Sequence, residues 1–134
     1  MVRARVLARA STSGERERAV LCQVVIEGLG ARAVRVAVQG ELSGPSAYTV
    51  DTQLRRVEAT DPACVVLDLS DLGFIDSAGL AQVMAAHRRA LRAGRRLLVV
   101  EGSQAVRRLI ALTALNRHLD LMPDSRAAER AAIG

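Results

Sequence analysis

Ala63-Cys64-Val65-Val66-Leu67-Asp68-Leu69-Ser70-Asp71-Leu72-Gly73-Phe74-Ile75-Asp76-Ser77-Ala78-Gly79-Leu80 is the stretch that decides the fold class. Its first five residues form an unbroken apolar run behind Asp61-Pro62, the pattern of a central strand covered on both faces. A short acidic loop follows, and then a period of three to four sets in: Leu80, Val83, Met84, His87 and Leu91 share one helical face, closed by Gly94. A doubly covered strand that runs through a loop into an amphipathic helix is the first half of a crossover unit, so the next strand should lie parallel to it.

Both flanks agree. Toward the C-terminus, Leu97 to Val100 reads as another buried strand. Val106, Leu109, Ile110 and Thr113 give a helix after Gly102-Ser103, and Leu119 to Met122 gives a short edge strand before Pro123. Ser125 to Ile133 is Ala-rich and helix-permissive, and is expected to pack loosely. Toward the N-terminus, Val20 to Ile26 is a strand ending at Gly28-Leu29-Gly30. Val34, Val36 and Val38 then alternate with Arg35, Ala37 and Gln39, so this strand buries one face, turns the other to solvent and pairs antiparallel with the first. Beyond Gly40 to Pro45, Ala47, Val50, Leu54 and Val57 recur at helical spacing, with Ser46 as N-cap and Arg55 and Arg56 near the C-terminal end. The expected architecture is α/β: one domain over residues 20–133, with a mixed, mostly parallel sheet of four to five strands and helices packed on it. Residues 1–19 hold five Arg and two Glu without sustained period and are expected as a flexible basic tail.

Composition narrows the function. At 134 residues and half apolar, the chain suits one core. Nineteen Arg, no Lys and fourteen acids give a net charge of +5, but an Arg-only, Ala-rich balance fits the codon usage of a GC-rich genome. Tyr48 and Phe74 are the only aromatics, so the stacking platforms of nucleic-acid sites are missing and no direct nucleic-acid partner is expected. Cys22 and Cys64 lie far apart in apolar runs without metal-ligand spacing, which suggests buried thiols in a reducing cytoplasm. The opening MVRARVLARA breaks its hydrophobic pairs with Arg, so neither a signal-peptide core nor a membrane span is expected, and the location is taken as cytoplasmic.

Chemistry concentrates at Ser77. A hydroxyl at a helix start can cap free backbone N–H groups, and the same geometry would receive a phosphate. The two roles are compatible. No motif-linked His accompanies Ser77, so a nucleophile triad is not indicated. His87 falls on the apolar stripe and His118 near a turn. Asp68, Asp71 and Asp76 match neither a calcium loop nor a paired-carboxylate site, leaving turn and strand-end roles. Arg88, Arg89, Arg92, Arg95 and Arg96 gather on one helix and its exit, as a solvated face or as a surface for an acidic protein partner. Gly94 and Gly102 make no dinucleotide or phosphate loop.

Val66 to Leu80 also resembles the signature of the STAS domain, specifically of bacterial anti-sigma factor antagonists, in which Asp-Ser-(Ser/Ala/Thr)-Gly-Leu follows a strand. Gly40-Glu41-Leu42 resembles the family's Gly-Glu-Leu-Asp turn, and Gly94-Arg95-Arg96-Leu97 and Ala105-Val106-Arg107-Arg108-Leu109 match its later segments, so the likeness spans roughly residues 20 to 133. The resemblance implies a non-enzymatic partner switch without cofactor or metal. An anti-sigma factor with Ser kinase activity would phosphorylate Ser77, and a PP2C-type phosphatase would restore it. The unmodified protein would bind the anti-sigma factor, and the phosphorylated one would let go. The implied partner surface comprises Glu41, Ser43, Asp76, Ser77, Ala78 and Gly79. Ser43 stands where the family usually has Asp, and Ala78 replaces a frequent second Ser. A STAS domain can also serve unphosphorylated, as a scaffold or as a small subunit of a lipid-transport ABC system.

Overall fold

The computed structural model describes residues 3–4, 10–11, 20–114 and 117–134. Its strands are β1 (Arg3–Ala4), β2 (Ala10–Ser11), β3 (Val20–Leu29), β4 (Ala33–Leu42), β5 (Cys64–Asp68), β6 (Leu72–Ile75), β7 (Arg96–Val100) and β8 (Asp120–Met122). Its helices are α1 (Gly44–Glu58), α2 (Ser77–Ala93), α3 (Gln104–Leu112) and α4 (Ser125–Ile133). The sheet order is β1-β3-β4-β5-β7-β8, with β2 also on β3 and β6 on β4. β3 and β4 form the expected antiparallel pair, whereas β4–β5, β5–β7, β7–β8 and β4–β6 are parallel. Five strands carry the sheet and three short ones extend it. Of the first nineteen residues, Arg3–Ala4 and Ala10–Ser11 pair antiparallel with β3, and the rest of the expected tail lies outside the described residues.

The period of two along β5 divides the interior. Val65 and Leu67 point into a cluster with Val24, Val36, Val38, Leu54, Val83 and Ile110, beneath α1, α2 and α3. Cys64 and Val66 point the other way, joining Leu29, Leu98, Val100 and Ala128 under α4. Cys22 and Cys64 are both buried, on opposite faces. Burial pushes the Cys64 thiol above its usual pKa, with Arg96 opposing.

Four local expectations change. The alternate face of β4 is half-buried at Arg35, Ala37 and Gln39 rather than turned fully to solvent, and Arg35 on it reaches α4. Arg35 donates to Glu27 Oε1 (2.6 Å), Glu129 Oε1 (3.0 Å) and the Ser125 carbonyl (3.3 Å), and its Nε lies 3.6 Å from Asp68 Oδ2. Burial works against this guanidinium charge, but the bonds to Glu129 and Glu27 outweigh it and move its pKa upward. Accordingly α4 is not loosely packed: Ala128 is fully buried, and Asp124 caps the helix by accepting from Ala127 N–H (2.7 Å). Leu72–Ile75 is a strand rather than part of a loop; four residues carry too little periodicity to reveal one. Finally, Leu91 is 68% exposed, because Ala86 and Ala90 complete the buried face of α2.

Leu98→Ala should lower unfolding free energy by roughly 2–5 kcal/mol in urea melts, whereas Leu91→Ala should stay within about 0.5 kcal/mol.

Candidate functional site

The parallel pairing of β4 with β6 sets Leu42 opposite Ile75. Both strands end there and both are followed by helices, so the N-termini of α1 and α2 converge at one edge of the molecule. Asp76 fastens them together. It is the N-cap of α2, its Oδ1 accepting from Gly79 N–H (2.9 Å), while its Oδ2 accepts from Gly44 N–H (3.2 Å) at the start of α1. Its own N–H donates to the Leu42 carbonyl (3.2 Å), and its carbonyl accepts from Leu80 N–H (2.9 Å). One residue therefore satisfies two helix starts and a strand end.

The N-cap roles expected for Ser77 and Ser46 each pass to an earlier residue. Ser77 is the first residue of α2. Its side chain is exposed, and its hydroxyl makes no hydrogen bond among the described residues. Ser43 caps α1, with Ser46 three residues on. Ser46 Oγ accepts from Ser43 N–H (2.9 Å) and donates to the Glu41 carbonyl (2.7 Å), which ties the turn before α1 to the end of β4. Gly79 permits the close approach: a Cβ there would sit 2.2 Å from the Leu42 carbonyl oxygen and 2.8 Å from Ile75 Cγ1. Of the residues expected at the partner surface, Glu41 and Ser77 are exposed, Asp76 and Ala78 are half-buried, and Ser43 and Gly79 are buried. The last two shape the junction.

Chemically, the site offers an exposed hydroxyl at the positive end of a 17-residue helix. Asp76 occupies the Gly79 and Leu80 N–H groups, leaving those of Ser77 and Ala78 to an incoming anion. His87 is about 15 Å further along the helix axis, too far to act as a base on Ser77. Asp68 faces away from this junction: its Oδ1 accepts from Ser70 N–H (2.9 Å) and Oγ (2.6 Å), and it neighbours Arg35. No cluster of His, Cys, Asp and Glu with metal-holding geometry occurs among the described residues.

The arginine cluster divides: Arg89 and Arg95 are built into the fold, whereas Arg88, Arg92 and Arg96 lie on the exposed face. Arg89 forms a two-toothed pair with Glu58 (2.7 and 3.0 Å) and reaches Asp51 (3.3 Å), joining α2 to α1. The hydrogen bond to Glu58 raises its pKa despite burial. Arg95 donates to the carbonyls of Pro62 (2.8 Å) and Glu58 (3.3 Å) and to Asp61 (2.9 Å), and Arg96 reaches the Ala131 carbonyl (3.1 Å). Arg88 and Arg92 are exposed without such contacts among the described residues.

Comparison with known proteins places these features in a wider set. The family model of the STAS domain matches residues 24–128. Among solved structures, an anti-sigma factor antagonist from Mycobacterium paratuberculosis is similar with a TM-score of 0.76 and 28% identity, over 83% of this chain and 93% of that one. The antagonist SpoIIAA in its unphosphorylated form gives 0.67 at 17% identity, over 81% and 95% of the two chains. The phosphorylated form of the Bacillus cell fate determinant SpoIIAA gives 0.63 at 16%, over 81% and 98%. No helix among the described residues is long and apolar enough to cross a membrane.

Urea unfolding should rank three variants of the junction. Gly79→Ala should cost roughly 1–3 kcal/mol through overpacking, and Asp76→Ala roughly 0.5–2 kcal/mol through loss of the cap. Ser77→Ala should stay within about 0.5 kcal/mol, since its hydroxyl holds nothing in the fold.

Proposed function

Because the chain belongs to the STAS-domain family, we propose that it is an anti-sigma factor antagonist that acts by partner switching, with Ser77 as its phospho-acceptor. The observation that carries this reading is the exposed, unengaged Ser77 hydroxyl on the first turn of α2, beside a carboxylate already committed to the backbone. A kinase can reach that oxygen without dismantling anything. Glu41, Asp76, Ser77 and Ala78 form the contact surface, and Ser43 and Gly79 hold it in shape.

The switch follows from charge. A phosphoryl group adds about 1.5 to 2 negative charges at neutral pH. In the free protein, water, the Ser77 and Ala78 N–H groups and the helix dipole accommodate it. At the centre of a contact it must be stripped of water, beside Asp76, and a partner surface that fits a neutral hydroxyl supplies no compensating cation. Affinity falls while the fold persists. The partners are then an ATP-using anti-sigma factor that carries the Ser kinase activity, bound when Ser77 is unmodified, and a PP2C-type phosphatase that reverses the modification. The chain itself performs no catalysis and acts in the cytoplasm. The Asp-to-Ser exchange at position 43 fits this arrangement, because a buried Ser43 holds the N-cap position of α1 through its backbone and leaves the carboxylate work to Asp76.

With the cognate anti-sigma kinase and ATP, intact mass spectrometry should show one added phosphoryl group, absent in Ser77→Ala. Ser77→Asp should weaken the complex by about tenfold or more, close to 1.4 kcal/mol. Phosphorylation that persists in Ser77→Ala would overturn the assignment, and indifference of the complex to Ser77→Asp would favour an unphosphorylated scaffold or transport subunit.

A further inference from the structure

Helix α3 has more apolar surface than the core uses. Val106 and Ile110 are fully buried beneath the sheet, and a second apolar row, Ala105, Leu109 and Leu112, faces β6 instead. With Phe74 and Ile75 that row lines an open groove of about 250 Å³, rimmed by Arg108. Phe74 is 48% exposed and Leu112 75% exposed, so two large apolar side chains of the groove meet solvent. Beside it, Gln104, Arg107 and Arg108 line a second, polar recess. Both arginines are exposed, and neither forms an ion pair among the described residues, unlike Arg89 and Arg95 of the neighbouring cluster. The groove is also continuous with the Ser77 junction: Ile75 lines it and is the residue against which Gly79 packs.

We infer that this groove between β6 and α3 docks an amphipathic helix of the protein partner, with apolar side chains on Phe74, Leu109 and Leu112 and acidic side chains on Arg107 and Arg108. The choice follows from charge complementarity. An apolar floor rimmed by two unpaired guanidinium groups suits a segment that alternates apolar rows with carboxylates, whereas a nucleic acid would leave the apolar floor unused. That the partner is the anti-sigma factor rests on the function proposed above. Ser77 then carries the switch and the groove carries affinity that phosphorylation does not remove directly.

Two measurements on the full chain test this. In the first, a fluorescein-labelled helical peptide of about five turns, with Leu on one face and Glu on the flanks, is titrated by anisotropy against its Lys counterpart and a single-stranded oligodeoxynucleotide. The Glu peptide should bind best, and Leu112→Ser and Arg108→Glu should each weaken it by about tenfold, with unchanged thermal melts because both sites are exposed. Equal binding by wild type and variants, or preference for the Lys peptide or the oligonucleotide, overturns the proposal. In the second, the complex with the anti-sigma kinase should lose about tenfold in affinity in Leu112→Ser while phosphorylation at Ser77 stays specific. If Ser77→Asp weakens that complex and Leu112→Ser does not, the groove is wrong and the switch stands. If neither Ser77 variant matters but the Glu peptide still binds as described, the switch is wrong and the groove stands.

Discussion

The carboxylate of Asp76 is the constraint on which the junction of β4, β6, α1 and α2 depends. Parallel strands β4 and β6 end side by side, so two helices must start within a few ångströms of each other, each with backbone donors that lack partners. Two like dipole ends converging in this way would repel unless negative charge lay between them. Asp76 supplies it, with one oxygen on Gly44 N–H and the other on Gly79 N–H. Its placement is possible because Gly79 lets the first turn of α2 settle against the Leu42 carbonyl. The carboxylate and the missing side chain are two halves of one device, and the serine between them in sequence is left outside it.

This explains which parts of the site could be read from the chain alone. The apolar run Cys64–Leu67, the helical stripe from Leu80 and the alternation at Val34, Val36 and Val38 each state their element directly, since periodicity is a local property. Capping is local too, but it offers several oxygens within one turn. Ser77 and Ser46 are good caps by type, yet Asp76 and Ser43 hold those positions because the pairing of β4 with β6 fixes where each helix begins. The pattern of an acid three residues ahead of Gly79 is the signal that identifies Asp76 as the cap of α2. Its second bond, to Gly44 across thirty-two residues, leaves no trace in local sequence.

The far face shows the same limit from another side. Arg35 alternates with valines and reads as solvent-facing, and Ser125–Ile133 reads as a loosely held end. Each reading is reasonable in isolation. Together they are wrong because Glu129 of α4 and Glu27 of β3 meet at the same guanidinium. Burying that charge is tolerable only with its partners present. The helix and the arginine therefore specify each other, as do Arg89 and the acids of α1. Between them Arg35 and Arg89 engage Glu27, Asp68, Glu129, Asp51 and Glu58, so these acids are spent on two arginines, and Arg107 and Arg108 are among those turned outward without a partner of their own among the described residues.

Such an arrangement separates what holds the fold from what can be modified. Every polar atom that secures the junction belongs to Asp76, Ser43, Ser46 or the backbone, and none belongs to the Ser77 side chain. A group added to Ser77 Oγ breaks no hydrogen bond and fills no packed space, so it has no lever on the core. A charge placed there acts only on what approaches from outside. A regulatory serine that doubled as the helix cap would couple modification to unfolding of the first turn, and the free and modified states would differ in stability as well as in binding. With the cap given to Asp76, a modification at Ser77 would act only on what meets this surface.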